Sequence, residues 1–242
     1  MQTINIAHQT EFVRIDQAIE TTINLSAHAT LNASIAGNIS SNTTVNIKGD
    51  DTANFFATED EAGPNVTVNL YNGALWTGTL DLTRCPLTVN GGNGSKFNNN
   101  GISYLHHESV TIGTDIVGTG SFNMSLAGLE LKGSVSAGQS IYEGGQATVQ
   151  IDQPQEFNGE ISLVTGPYNE IDLMGLANAD SYTYHNDMLS IWSGEKVLDT
   201  LRLNAQQPFA VEPPTTGGKV AIVTGNPPFD PPPVGLPIHM GA

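Results

Sequence analysis

A short motif recurs along the first half of this chain at a nearly constant interval. Its four clearest copies are Thr22-Ile23-Asn24-Leu25, Thr44-Val45-Asn46-Ile47, Thr67-Val68-Asn69-Leu70 and Thr88-Val89-Asn90. These copies begin 22, 23 and 21 residues apart, and Thr111 follows 23 residues after the last one. A period of about 22 residues indicates a solenoid, in which each repeat forms one coil.

Within each copy, apolar and polar residues alternate as they do in a β-strand with one buried face. Stacked coils would place Ile23, Val45, Val68 and Val89 in one interior column. They would also align Asn24, Asn46, Asn69 and Asn90 on the outside, where the amides can hydrogen-bond along the stack. The sequence therefore predicts an all-β parallel β-helix, a β-solenoid with coils of about 22 residues. A β-sandwich or jelly roll is the alternative, since alternating strands between Gly and Asn turns suit that fold too.

The repeats divide the chain into three predicted segments. Residues 1–20 are expected to cap the first coil, and residues 21–225 to form the solenoid. Residues 226–242 contain six prolines, which do not fit a central strand and favour an extended C-terminal arm.

The charge balance restricts the classes of partner. The net charge is -16, with eight Lys and Arg against 24 Asp and Glu. Nucleic acid needs clustered cations, so it is not an expected partner, and an anionic membrane surface is disfavoured for the same reason. No apolar run approaches 18 residues, so no membrane insertion is predicted. The segment after Met1 lacks the pattern of a Sec-type signal, so we expect export without one, or a place in a virion.

The second half of the chain resembles a known class of repeat. The resemblance covers about residues 113–225 and is carried by Leu129-Glu130-Leu131-Lys132-Gly133-Ser134-Val135, Gly138-Gln139, Gly144-Gly145, Thr148-Val149-Gln150-Ile151-Asp152, Pro154, Phe157-Asn158-Gly159-Glu160-Ile161 and Ile171-Asp172-Leu173-Met174-Gly175-Leu176. These positions are similar to the β-solenoid modules of autotransporter-like and type I-secreted surface proteins of proteobacteria.

The resemblance implies an extracellular or cell-surface, adhesin-type passenger without enzymatic activity. We therefore expect a structural or adhesive protein of a bacterial surface, extracellular matrix or filament. One alternative is a virion fibre or decoration protein. Another is a protein that binds or cleaves polysaccharide, and a surface polysaccharide is accordingly a second expected partner besides the chain itself.

An enzyme of the β-helix type would need clustered acids or cations on one face. The eight cations of this chain are scattered, and Asp81, Asp115, Asp152 and Asp172 lie on separate predicted strands. No catalytic residue is therefore predicted. Cys85, the single cysteine, is expected to be a buried apolar residue.

The sequence contains one candidate metal site and one candidate sugar-binding set. Glu59, Asp60 and Glu61 form an acidic loop, near Asp50 and Asp51, whose carboxylates are the type of ligand that Ca²⁺ prefers. His106 and His107 are adjacent, and on a strand their side chains would point to opposite faces, so a shared metal is not expected. Four aromatic residues could stack on a sugar, but core or corner packing is the favoured interpretation for Trp76, Tyr182, Tyr184 and Trp192. No other cofactor is predicted.

The ends of a solenoid expose strand edges with unpaired backbone groups. We expect these edges to drive self-association into a homo-oligomer, most simply a head-to-tail filament. At the N-terminal end the predicted contacts are Thr3, Ile4 and Ile6. In the arm they are Phe229, Val234, Leu236 and Ile238, lying along a neighbouring subunit.

Overall fold

The structure is a computed structural model that describes residues 1–15, 20–35, 42–58, 65–164, 166–215, 217–225 and 238–239. The described residues form a parallel β-solenoid of about 21 residues per coil, which confirms the predicted fold class. The alternative β-sandwich is excluded because successive coils pair in parallel along both main sheets.

The strands in chain order are β1 (Gln2–Ala7), β2 (Thr10–Ile15), β3 (Thr21–Ser26), β4 (Thr30–Ile35), β5 (Thr43–Ile47), β6 (Asp50–Thr58), β7 (Val66–Leu70), β8 (Leu75–Thr77), β9 (Leu80–Thr83), β10 (Leu87–Gly91), β11 (Lys96–Asn98), β12 (Ile102–His106), β13 (Ser109–Gly113), β14 (Asp115–Val117), β15 (Ser121–Ser125), β16 (Gly128–Leu131), β17 (Ser140–Glu143), β18 (Thr148–Ile151), β19 (Glu160–Leu163), β20 (Glu170–Leu173), β21 (Ser181–His185), β22 (Met188–Ser193), β23 (Lys196–Ala205), β24 (Ala210–Glu212), β25 (Val220–Val223) and β26 (Ile238–His239). One 3-10 turn, Pro154–Glu156, joins β18 to β19.

The first sheet contains one strand from each coil, in the order β1-β3-β5-β7-β10-β13-β16-β18-β20, and all of these strands are parallel. The recurring motif lies here, so Ile23, Val45, Val68 and Val89 stand in register and are buried in the interior. The predicted interior column is therefore confirmed.

The second sheet faces the first and stacks β2, β4, β6, β9, β12, β15, β17, β19 and β23 in parallel. In the middle coils the short strands β8, β11 and β14 add a third side. Inside these coils four aromatic rings follow one another, from Phe55 through Trp76 and Phe97 to Phe122, with centroid separations of 5.7, 4.2 and 6.3 Å. The Trp76 indole N–H donates to the Ala53 carbonyl at 2.9 Å, so this buried ring keeps its polar atom paired.

The two ends of the stack differ. Residues in the segment predicted as a cap form an ordinary coil, since β1 pairs in parallel with β3 and β2 with β4. At the other end the parallel pairing stops, and β25 and β24 close the first sheet in antiparallel fashion. In the second sheet β22 and β21 follow β23, also antiparallel. The chain reverses between β21 and β22 at Asn186 and Asp187, whose φ angles of 50° and 59° are those of a tight hairpin turn.

Candidate functional site

The outer face of the first sheet carries a ladder of asparagine side chains. Each amide nitrogen donates to the side-chain oxygen of the preceding coil, from Asn24 to Asn5 at 2.7 Å, from Asn46 to Asn24 at 2.8 Å, from Asn69 to Asn46 at 3.0 Å and from Asn90 to Asn69 at 2.9 Å. The predicted hydrogen-bonded column is therefore confirmed, and Asn5 extends it by one coil. The ladder ends after Asn90 because Gly113 occupies the next position.

The outer face of the second sheet carries a different column, in which aromatic and polar residues alternate. The register places Phe56, Asp81, Tyr104, Asn123 and Tyr142 on five successive strands. The three aromatic side chains are 43%, 48% and 41% exposed, whereas Asp81 and Asn123 are half-buried. Ser162 stands next in register and is buried, so the exposed part of the column ends at Tyr142. We call these five residues the aromatic column.

A groove of about 470 Å³ lies over the C-terminal part of the aromatic column. Tyr104 and Tyr142 contribute to its lining together with Asn123, His106, Ser125 and Val164. The Asn123 side-chain oxygen accepts a hydrogen bond from the Ser121 hydroxyl at 3.4 Å. None of the residues lining the groove is a lysine, an arginine, an aspartate or a glutamate.

His106 presents a neutral imidazole at the groove near neutral pH. Its Nδ1 lies 3.1 Å from the Ser125 carbonyl oxygen. Because a carbonyl oxygen can only accept a hydrogen bond, Nδ1 must carry the proton, and Nε2 of the neutral ring is then an acceptor. Burial lowers the pKa of His106, and the neighbouring His107 and Arg84 lower it further. The groove therefore offers aromatic rings with neutral donors and acceptors.

The corner after His106 corrects one expectation from the sequence. The His106 and His107 rings lie with their centroids 4.3 Å apart instead of on opposite faces. His107 has a φ of 57°, so the strand alternation ends at this residue. Arg84 and Leu126 have similar φ angles at the equivalent corners of the neighbouring coils. Even so, no group of three or more His, Cys, Asp or Glu residues that could hold a metal exists in the described part of the chain.

Two carboxyl groups lie in positions where other coils place apolar residues. Glu108 stands two residues before the inward-facing Val110, at the position that Cys85 and Ala127 occupy in the flanking coils. Burial raises the pKa of Glu108 to about 8. Glu143 points into the interior with no exposed surface, and burial raises its pKa well above the usual value. Neither group faces solvent, so neither is presented to a substrate.

Several predicted site residues fall outside the described residues, namely Glu59, Asp60, Glu61, Phe229, Val234 and Leu236. The neighbouring Asp51 is buried and accepts hydrogen bonds from the backbone N–H groups of Ala29 and Gly49, at 2.9 and 3.2 Å. It therefore fixes a corner of the solenoid.

The remaining predicted contacts for self-association lie at opposite ends of the stack. On β1, Thr3 is exposed, Ile4 packs partly against the core and Ile6 is buried within it. Ile238 belongs to β26, which pairs antiparallel with β21 of the same chain. The outer backbone edges of β1 and β2 have no strand partner among the described residues.

The four aromatics considered as a sugar platform pack within the protein, as favoured from the sequence. Trp76 and Tyr182 are buried, and the Tyr184 hydroxyl donates to the Leu203 carbonyl at 3.0 Å. The Trp192 indole donates to the Thr183 hydroxyl at 3.1 Å. Tyr104 and Tyr142 are instead among the exposed aromatics, and the sequence did not single them out. Their separation of 38 residues, close to two coils, was the signal that could have identified them.

Among the described residues, no helix is long and apolar enough to cross a membrane. Comparison with known protein families finds no matching family model, and comparison with curated proteins finds no match either.

Proposed function

We propose that this protein is a non-enzymatic structural and adhesive protein of a bacterial surface, extracellular matrix or filament. The observation that carries the proposal is the pair of continuous sheets, whose outward side chains repeat in register over many coils. Such faces form elongated contact surfaces, which solenoid proteins use for binding. The resemblance of residues 113–225 to secreted surface modules supports the same role.

The electrostatics support a binding role over a catalytic one. A glycoside hydrolase needs two carboxyl groups facing its substrate, one of them with a raised pKa. Here burial raises the pKa of Glu108 and Glu143, which lie at a corner and in the interior. Burial also raises the pKa of Asp172, but its carboxylate is ion-paired with Lys219 at 3.0 Å, as is that of the neighbouring Glu170 at 2.8 Å. The exposed residues of the aromatic column are Phe56, Tyr104 and Tyr142, whose rings are suited to binding a ligand by stacking.

Self-association forms the structural part of the proposal. The edges of β1 and β2 are open among the described residues, whereas β24 and β26 form the opposite edges of the two sheets. A head-to-tail contact would pair β1 and β2 of one copy with these strands of the next, and such a heterologous contact continues into a filament. The predicted arm, residues 226–242, would add contacts to the neighbouring subunit beside β26, which itself pairs with β21 of its own chain.

Light scattering over a range of protein concentrations, with electron microscopy, tests this assembly. We expect mass to increase with concentration and with added salt, which screens the net charge of -16. Ca²⁺ is expected to add to this effect if the acidic loop at residues 59–61 lies at the contact.

The assembly contact can be located with a matched pair of substitutions. Thr3→Lys places a charge on the edge strand and should prevent assembly. Thr67→Lys introduces the same charge in the middle of the same column and should leave assembly intact, because β7 already has strand partners on both sides. Deleting residues 226–242 should reduce the number of subunits in the assembly, as measured by light scattering. A monomer under all these conditions, or equal effects of the two lysine substitutions, would refute the assembly model.

Growth of the native source followed by fractionation into secreted matter, cells and virions tests the location. Recovery in secreted matter or on the cell surface agrees with the proposal. Recovery in virions would favour a fibre or decoration protein instead.

A further inference from the structure

We propose that the aromatic column binds a single extended chain of a neutral β-1,4-linked polysaccharide, lying parallel to the solenoid axis. This inference rests on the adhesive part of the proposed function and specifies its ligand. It uses Phe56, Tyr104 and Tyr142 as stacking residues, with Asp81 and Asn123 between them.

The spacing of the column matches the repeat of an extended β-1,4-linked glycan. Neighbouring strands of a sheet lie about 4.8 Å apart, so aromatic residues on every second strand are separated by about 10 Å. An extended β-1,4-linked glycan repeats after two sugar rings, over a similar length. Successive aromatic side chains of the column can therefore contact every second sugar of a straight chain. An α-1,4-linked glucan curls and cannot follow a straight column.

Other extended polymers fit the same spacing poorly. A β-strand peptide repeats its side-chain direction after two residues, over about 6.8 Å, so its side chains would lose register with the column. A nucleic acid strand needs cations along its backbone, and the groove residues include no lysine or arginine. The repeat distance and the charge thus both favour a glycan.

The polar residues define the type of sugar. The Asp81 carboxylate can accept hydrogen bonds from sugar hydroxyls, and the Asn123 amide nitrogen can donate one. His106 can accept a hydrogen bond at Nε2 when its Nδ1 donates to the Ser125 carbonyl. These groups suit sugar hydroxyls. A uronate chain would bring carboxylates toward Asp81 on a protein of net charge -16, with no cation in the groove to pair with them. The ligand is therefore expected to be uncharged.

The groove over Tyr104, Asn123 and Tyr142 provides the concave part of the site. Its volume of about 470 Å³ falls within the range of binding pockets for small molecules and accommodates a short stretch of sugar rings. From Phe56 to Tyr142 the column crosses four strand intervals, which corresponds to about 19 Å. Binding should consequently strengthen with oligosaccharide length until the chain covers this distance.

Isothermal titration calorimetry with cellobiose, cellotetraose and cellohexaose tests the proposal, with fully N-acetylated, and therefore neutral, chito-oligosaccharides as a second β-1,4-linked series. We expect affinity to rise from the disaccharide to the tetraose and little further to the hexaose. Maltohexaose, which is α-1,4-linked, and polygalacturonate, which is anionic, should bind at least about tenfold more weakly than the best neutral β-1,4-linked chain, a difference of about 1.4 kcal/mol. Equal or tighter binding of either control polymer overturns the proposal, as does absence of binding in both β-1,4-linked series.

Substitutions in the column separate a specific site from general adhesion. Tyr104→Ala and Tyr142→Ala should each weaken binding by about fivefold or more, as expected when an anchoring aromatic is truncated. Tyr104→Phe and Tyr142→Phe should retain most of the affinity, since the ring is kept. Tyr71→Ala is the matched control, because Tyr71 is as exposed as Tyr104 but lies outside the column. A loss in the Tyr71 variant equal to that in the Tyr104 variant overturns the proposal.

The glycan measurement and the assembly measurement are independent of each other. A protein that assembles but binds no neutral β-1,4-linked glycan refutes this inference and leaves the structural role intact. A monomeric protein that binds the glycan refutes the assembly model and supports the inference. Circular dichroism of each alanine variant verifies that the fold is retained, which is expected since both tyrosines are exposed.

Discussion

Replacing Glu143 with an apolar residue should stabilise this protein. Glu143 lies on β17 in register with Met124 of the preceding coil and Leu163 of the following one, so its inward side chain sits between apolar neighbours. Neither carboxyl oxygen has a hydrogen-bond partner among the described residues. A buried, unsatisfied polar group costs about 1–3 kcal/mol even when neutral. Glu143→Met keeps a similar volume and should recover that free energy.

The gain should depend on pH, and the sign follows from the raised pKa of Glu143. At a pH below the pKa of an unfolded glutamate, about 4.3, both states hold the proton and titration has no effect. As the pH rises above that value, the unfolded chain releases its proton while the folded protein retains it. This difference favours unfolding, so the wild type should lose stability toward neutral pH through this residue.

Urea unfolding at several pH values between about 4 and 8 measures the effect. We expect Glu143→Met to be more stable than the wild type by about 1–3 kcal/mol at pH 4 and by more at pH 7. Glu143→Gln is the control, since it keeps a polar group but cannot ionise. It should give no gain at pH 4 and a growing gain toward pH 7. If Glu143→Met gives no gain at pH 7, or if the advantage of Glu143→Gln does not grow with pH, the carboxyl group is hydrated or paired and the reasoning is wrong.

Three further experiments test the stack itself. Asn46→Ala removes two ladder hydrogen bonds and should cost about 1–3 kcal/mol in urea unfolding, whereas Asn90→Ala removes one and should cost about half as much. Trp76→Ala should cost about 3–5 kcal/mol by leaving a cavity in the aromatic stack, and Trp76→Phe should cost clearly less. The buried Cys85 thiol should react with a thiol reagent only after unfolding, and rapid labelling of the native protein would contradict its position in the core.

The sequence was sufficient to predict the parallel strands β3, β5, β7 and β10 of the first sheet because these strands carry a repeated signal. The alternation of the motif fixed which side chains face inward, and its period fixed which of them meet. The ladder from Asn24 to Asn90 followed directly from these two facts. The second sheet has no such motif, so its outward column, which combines Phe56 with Tyr104 and Tyr142, was not predicted.

The regions where prediction was weaker have identifiable local causes. The departure of His107 from strand alternation depends on a left-handed φ, which ordinary residues adopt only when a corner requires it. The antiparallel closure begins at the Asn186-Asp187 turn, a local hairpin signal that is independent of the 22-residue period. Glu143 resembles a solvent-facing residue until the register shows that its position is interior.

The spacing between ladder asparagines varies from 19 residues, between Asn5 and Asn24, to 23, between Asn46 and Asn69, although the amides stay in contact. These strands keep one register, so the difference in length between the coils lies outside them. Duplication of a whole coil would therefore add a compatible layer without redesign of its neighbours. A single residue inserted within a strand would instead turn every following side chain of that strand to the opposite face. The architecture consequently allows proteins of this kind to evolve new lengths in steps of one coil.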